Sequence, residues 1–504
     1  MLVPLLLAID AATLLHDAAA AMGGEATLRA IRSVEMDAVG EREMVEQSER
    51  PSGPYFLDHF EFHEIRDLAG RRIRRTQSDS GYAQSNWWLQ TEKPDTGVEL
   101  IASALVATVG DDGKQQYAGG FDVDDAQDQF DFAPERLVVT ALDAGSARVL
   151  PDVVLHGMRH HLIGFDWHGM ACTLALNAQT NLPWQFTFTR AFPHNVFYNA
   201  WGDVTTSVTY TEWSLEPGGI RYPREQTYRA LGLPDRVVSI RALKFNVPID
   251  EAAMTIAPDI LAAHPAGAPA ISTRPFGGTK PTLTQIAPSF YQVPGSWNVE
   301  FVDQPDGVVV IEAPIDPAYA KAAFAYARAQ FHKPVKAVVT TSDSWPHIAG
   351  VRQAVAEGIT IYALDLNRPI LERLIAAPHR ILPDDLARHP RPARFSFVAG
   401  PTTIGSGASR IDVLPYRTAT GERQMIVDLP AARVTYTSDL FAPASATSWF
   451  TPQYLDEFES ACARYRLAPV TIVGMHYPPT PYAGVVAWLD AFRTGALSPV
   501  PSPT

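Results

Sequence analysis

Halfway along the chain the hydrophobic pattern changes its period, and no single layer of secondary structure accommodates both halves. From about 26 to 248, short runs alternate apolar and polar residues between Gly, Asp and Pro turns, the pattern of antiparallel strands with one face buried. The clearest runs are 55–65, 136–142, 184–190, 205–213 and 237–246. Between 250 and 284 the chain becomes rich in Ala, Pro and Gly, which neither pair as a central strand nor propagate a helix, so a linker is predicted. Beyond it, strand patterns at 307–314 and 336–341 alternate with helix patterns at 317–331 and 348–357, as in βαβ units. Antiparallel runs follow at 394–398, 410–415, 424–429 and 433–437, then a helix at 452–465, a strand at 469–475 and a helix at 482–493. These patterns predict a two-domain α+β protein: a β-rich unit at 21–250, a linker at 251–285 and a sandwich with outer helices at 286–504.

Composition removes several function classes. The 504 residues are 46% hydrophobic and 19% charged, which supplies a core and excludes disordered and fibrous chains. The net charge of −14 repels phosphate backbones and argues against a nucleic-acid partner. The one dense basic cluster, Arg71, Arg72, Arg74 and Arg75, reads as an exposed strand after a turn. No apolar run reaches the ~18 residues of a membrane span. Residues 1–20 have a short apolar start and no Lys or Arg before Arg29, so they read as an N-terminal helix over 11–21 or as the remnant of an export signal. The second reading implies a periplasmic or exported protein, the first leaves the cytoplasm open. Cys172 and Cys462 stand in a strand and a helix pattern without a CxxC pair, as small buried apolar residues do.

Nucleotide-loop, serine-nucleophile and HExxH patterns are missing; His63-Glu64 is followed by Ile65, Arg66 and Asp67. His59, Glu61 and His63 share one strand face, and His156, His160, His161 and His168 form a second group; both read first as solvated faces and only second as metal ligands. Trp87-Trp88 reads as sheet packing.

Three stretches carry a resemblance. The run 298–314 (NVEFVDQPDGVVVIEAP) leads through a helix into the strand 336–341; 424–441 (QMIVDLPAARVTYTSDLF) is a strand, turn and strand ending in an acid; and 469–479 (PVTIVGMHYPP) ends in a histidine. Along about 282–497 the sequence resembles the metallo-β-lactamase superfamily, which implies an αββα sandwich with two metal ions held by an HxHxDH loop, a third histidine, a bridging aspartate and a last histidine. At the loop this chain reads Thr341-Ser342-Asp343-Ser344-Trp345-Pro346-His347. By that match Ser342, Ser344 and Pro346 replace two histidines and the aspartate, and Thr420 replaces the third histidine. His347, Asp439 and His476 remain as a candidate residual site, chemically able to hold one divalent zinc, iron or manganese ion. Serine and threonine are poor zinc ligands, and a metal-free relic is the alternative.

The marks Ala21-Met22-Gly23-Gly24 with Leu28-Arg29-Ala30-Ile31, Tyr210-Thr211-Glu212-Trp213 with Gly219-Ile220-Arg221-Tyr222-Pro223, and Lys244-Phe245-Asn246-Val247-Pro248 give 21–250 a similarity to the outer-membrane lipoprotein carrier. That similarity implies a half-barrel-like sheet with an apolar concave face for acyl chains, and a place in the bacterial envelope. Two functions follow. One is a catalytically impaired protein with a degenerate metal site that binds a small or lipidic ligand; the other is a mononuclear metal-dependent hydrolase using His347, Asp439 and His476.

Overall fold

The structure, a computed structural model, describes residues 10–46, 53–81, 95–120, 123–418, 423–438, 443–445, 448–449 and 452–496. Thirteen strands, all paired antiparallel, form one sheet between Ser33 and Phe245. Ser33–Glu43 and Leu233–Phe245 lie side by side in its middle, and the remaining strands extend outwards to edges at Gln115–Gly119 and Arg148–Leu155. Alternation along Ser33–Glu43 puts Val34, Met36 and Ala38 on one face, where they are buried, while Asp37 is exposed on the other.

Helices Ala11–Ala21 and Pro134–Asp143 cover part of that inner face, packing Leu14, Leu15, Leu137 and Val138 onto Ile163, Phe165 and Phe186. The first helix is capped by Asp10, whose carboxylate accepts from the Thr13 N–H at 2.7 Å. The second corrects the strand expected at 136–142. Pro134 occupies its first turn, where a missing N–H costs nothing, and Leu137, Val138 and Ala141 meet the core at helical spacing; the run RLVVTAL has strand propensity that tertiary packing overrides. Helix Val123–Asp131 also lay hidden among its acids.

The segment expected as a plain linker is partly ordered: helix Pro258–Ala263 starts on a proline, and Ile256, Ile260 and Phe276 are buried. Two facing sheets follow. In the first, Thr284–Ala287, Phe290–Val293, Val299–Gln304 and Gly307–Ile311 pair antiparallel, and Val335–Val339, Thr360–Leu364 and Arg394–Val398 continue it in parallel. The second runs from Thr402–Ile404 to Tyr477–Pro481. Val302, Val309 and Val339 meet Val413, Val427 and Val473 between the sheets. Pro317–Phe331, Val351–Glu357 and Arg368–Ala376 cover the first sheet's outer side, and Pro452–Tyr465 and Tyr482–Arg493 cover the second's. This is a helix–sheet–sheet–helix sandwich; the parallel strand Val335–Val339 is buried along most of its apolar run, while the edge strand Arg394–Val398 is only partly covered.

The two halves share a core. Trp201 and Phe192 of the first pack with Trp345 and Ile315 of the second, with the Trp201 and Trp345 rings 5.0 Å apart and Tyr198 edge-on to Trp345 at 5.3 Å. Polar contacts fix the docking: Asp203 accepts from the Arg380 and Ile381 N–H groups at 2.9 and 3.0 Å and from Arg380 Nε at 2.8 Å, and the Trp345 N–H donates to the Glu46 carbonyl at 3.1 Å.

Candidate functional site

Two places concentrate polar side chains: the loop after Val335–Val339, and the inner face of the large sheet. At the loop, chain direction reverses from strand into the short helix Trp345–Ile348, with Pro346 in its first turn. Thr340, Thr341 and Ser342 are fully buried, and Asp343, Ser344 and His347 nearly so.

A carboxylate that the sequence reading passed over organises this loop. Glu312, just after Gly307–Ile311, is fully buried and held at φ 72°, a left-handed conformation that costs an ordinary residue about 1 kcal/mol or more. Its oxygens accept from the Thr341 N–H at 3.0 Å, from the Thr341 hydroxyl, and from His347 Nδ1 at 3.2 Å. Thr341 Oγ1 also lies 2.6 Å from Ser438 Oγ, tying the two sheets' loops together, and Ser342 Oγ accepts from the Ser344 N–H at 3.0 Å. Nearby, Glu300 accepts from Gln292 at 2.9 Å; burial, reinforced by the Glu312 charge, pushes its carboxyl well above the usual range. The signal for Glu312 was an acid closing an apolar strand run, where a charge is tolerated only if partnered.

These donors do not fit a dinuclear metal centre. Two positions are serine hydroxyls, of which Ser342 already accepts from the Ser344 N–H, one is a proline, and only His347 keeps a ligand-type side chain. Among the described residues no three His, Cys, Asp or Glu side chains converge as a metal requires. His476 is half-buried with its ring 6.2 Å from that of Trp297. Asp439 and Thr420 lie outside the described residues, as do Trp87 and Trp88.

The inner face of the large sheet is different in kind. A cavity of about 290 Å³ opens there between the sheet, helix Val123–Asp131 and the 195–198 loop. Its walls carry four arginines, seven acidic side chains and six aromatic rings among the described residues. In place of a uniformly apolar face, the inward positions on Leu57–Asp67 are Asp58, Phe60, Phe62, Glu64 and Arg66, two rings flanked by charged side chains. Gly40 makes room for Phe60, because a Cβ there would sit 2.4 Å from the ring.

At one end of the cavity the charges are matched. Arg66 donates to Glu64 at 2.6 Å and to Glu135 at 3.1 Å, and Arg75 donates to Glu64 at 2.8 Å. Burial alone would raise Glu64; the two guanidiniums overcome it and hold the carboxyl down to about 2. Thus Arg72 and Arg75 of the basic cluster are only partly exposed, the former paired with Asp67 and Glu251. At the other end the matching is incomplete. The odd-numbered partners of this strand, His59 and His63, face outward and pair with Glu41 at 3.3 Å and Asp37 at 2.7 Å. His161 pairs with Asp152 at 2.9 Å, and buried His160 donates from Nδ1 to the Met158 carbonyl at 2.9 Å, so that histidine group does not converge. Cys172 and Cys462 are free and buried, their thiols pushed up to about 12 by burial.

No protein-family model matches the chain, and no curated protein matches it. Solved structures similar to part of it include a metallo-β-lactamase from Erythrobacter litoralis with β-mercaptoethanol in its active site (16% identity, 43% of this chain and 97% of that one, TM-score 0.32). Others are a metallo-β-lactamase from Pontibacter korlensis (14%, 42% and 99%, 0.32) and FIM-1 from Pseudomonas aeruginosa in its mono-zinc form (13%, 44% and 98%, 0.33).

Proposed function

We propose that this chain is a binding protein whose C-terminal sandwich has lost hydrolytic chemistry, and that its ligand occupies the cavity on the inner face of the N-terminal sheet. The observation that carries the reading is the engagement of the 341–347 loop by Glu312. Where a metal-dependent hydrolase needs several converging His and Asp ligands with open positions for water, this loop presents buried hydroxyls, that of Thr341 bonded to Glu312, and His347 is its one imidazole. The sandwich is then a scaffold against which the β domain docks through Trp345. The charged cavity walls favour a small polar molecule over an acyl chain, since an alkyl chain leaves buried ionic groups without partners.

The test is a panel of ester, lactam, thioester and phosphodiester substrates with zinc, manganese or iron supplied, comparing the parent with a variant carrying His347→Ala, Asp439→Ala and His476→Ala. The expected outcome is no metal-dependent turnover in either protein. Turnover by the parent that the triple variant loses would replace this reading with a mononuclear hydrolase.

A further inference from the structure

The unmatched end of the cavity has a defined pattern. Strand register sets Tyr228 beside Arg236, Arg236 beside Arg42, and Arg42 beside Asp58, one row across four adjacent strands with all four side chains lining the cavity. Directly opposed residues of antiparallel strands stand roughly 5 Å apart at Cβ, so Arg42 and Asp58 are neighbours.

Yet they do not satisfy each other. Asp58 is 8% exposed and its Oδ1 has no hydrogen-bond partner among the described residues; the buried Nε of Arg42 has none either. The Arg42 guanidinium instead leans toward Glu46, with Nη2 3.7 Å from the carboxylate. Arg236, next in the row, is already engaged by Asp125 and Asp235 at 3.2 and 3.3 Å. Asp58 and Arg42 therefore stand side by side in the cavity wall with neither charge fully met: Oδ1 and Nε are shut off from solvent, costly to leave unpaired, and both side chains line the open space.

A single ligand that donates to Asp58 and accepts from Arg42 resolves both. The surplus of acids over arginines in the walls disfavours a net anion, and the rings of Phe60 and Tyr198 offer an apolar and quadrupolar wall for a hydrocarbon or cationic stem. A bare metal ion would leave Arg42 unmet, and among the described residues no three ligands converge on it.

We infer that the cavity binds a small zwitterionic amino compound, of the α-amino-acid type, with its ammonium on the Asp58 carboxylate and its carboxylate on the Arg42 guanidinium. This rests on the binding reading above and names its ligand class.

Calorimetric titration of the full chain with L-arginine and L-phenylalanine tests it, alongside agmatine, which lacks the carboxylate, 3-phenylpropionate, which lacks the amine, and decanoate. At least one of the two amino acids should bind below about 1 mM, and its truncated analogue at least tenfold more weakly. Asp58→Asn should erase the preference over the analogue without an amine, and Arg42→Gln the preference over the analogue without a carboxylate. Phe60→Leu keeps both polar groups and should weaken all amino compounds together, which holds if either polar variant fails to fold. Tight binding of decanoate with no amino-acid binding would overturn the ligand class but keep the binding reading. Failure of every probe to bind the folded chain would overturn both. Unchanged preferences in Asp58→Asn and Arg42→Gln would overturn the assignment of these two residues.

Discussion

The buried loop at 341–347 and the inner cavity of the large sheet hold similar side chains, carboxylates beside hydroxyls, histidine or arginine, but they are built to opposite ends. In the loop the Glu312 oxygens face an N–H, a hydroxyl and an imidazole within hydrogen-bond reach, and the whole constellation is closed off from solvent. In the cavity Glu64 is matched by two guanidiniums, while Asp58 on the same strand and Arg42 on the next line the open space without pairing with each other. Satisfied buried networks rigidify a fold, whereas incomplete ones with room beside them are where a ligand completes the pairing.

The sharpest way to break this contrast is through the contact that joins the regions. Trp345 is 1% exposed and packed on Trp201 and Tyr198, so Trp345→Ala should cost about 3–5 kcal/mol and make the two halves unfold at separate midpoints in a calorimetric scan. One transition at the parent's temperature would mean the shared core contributes little.

Acid titration reaches the cavity's matched end. Glu64 has a folded value of about 2 against an ordinary 4.5, so its contribution is fully present above about pH 4.5 and disappears as pH falls toward 2. That difference corresponds to about 3 kcal/mol, which Glu64→Gln should remove from the pH dependence of thermal unfolding in that window. A parent and variant with parallel curves between pH 5 and 2 would show the triad to be uncoupled from folding.

At the loop, Glu312→Gln keeps the shape but exchanges a carboxylate for an amide that cannot accept on both sides. It should cost about 2–3 kcal/mol by urea unfolding, and a stabilising effect would show the carboxylate to be held for some purpose other than packing. The smallest effect belongs to the docking seam: Asp203→Asn weakens the contact with Arg380 and two backbone N–H groups and should cost about 1–2 kcal/mol, read as a modest gain in protease sensitivity between the halves.

Much of this molecule is legible in the sequence where hydrophobic period speaks alone. The helices Ala11–Ala21, Pro317–Phe331, Pro452–Tyr465 and Tyr482–Arg493 and the strands Arg394–Val398 and Gln424–Leu429 fall where their apolar spacing puts them. The helix Pro134–Asp143 does not, because β-branched Val138 and Val139 imitate a strand and only contact with Ile163 and Phe165 decides otherwise. The loop itself was legible from its place after an apolar strand run, but not Glu312, whose importance comes from a neighbouring strand rather than from the motif. Nor was the cavity: reading Leu57–Asp67 for its histidines drew attention to the outward face, while the acids and rings between them line the interior.

The central claim is that the 341–347 loop is a structural network and the open cavity is the working site. It is tested most directly by elemental analysis of the full chain purified from zinc-supplemented culture, with thermal unfolding measured before and after chelation. The prediction is less than one tightly held divalent ion per chain and an unfolding temperature that chelation leaves unchanged. One or more ions per chain that survive dialysis, are lost in His347→Ala, and take several degrees of stability with them on chelation would contradict it.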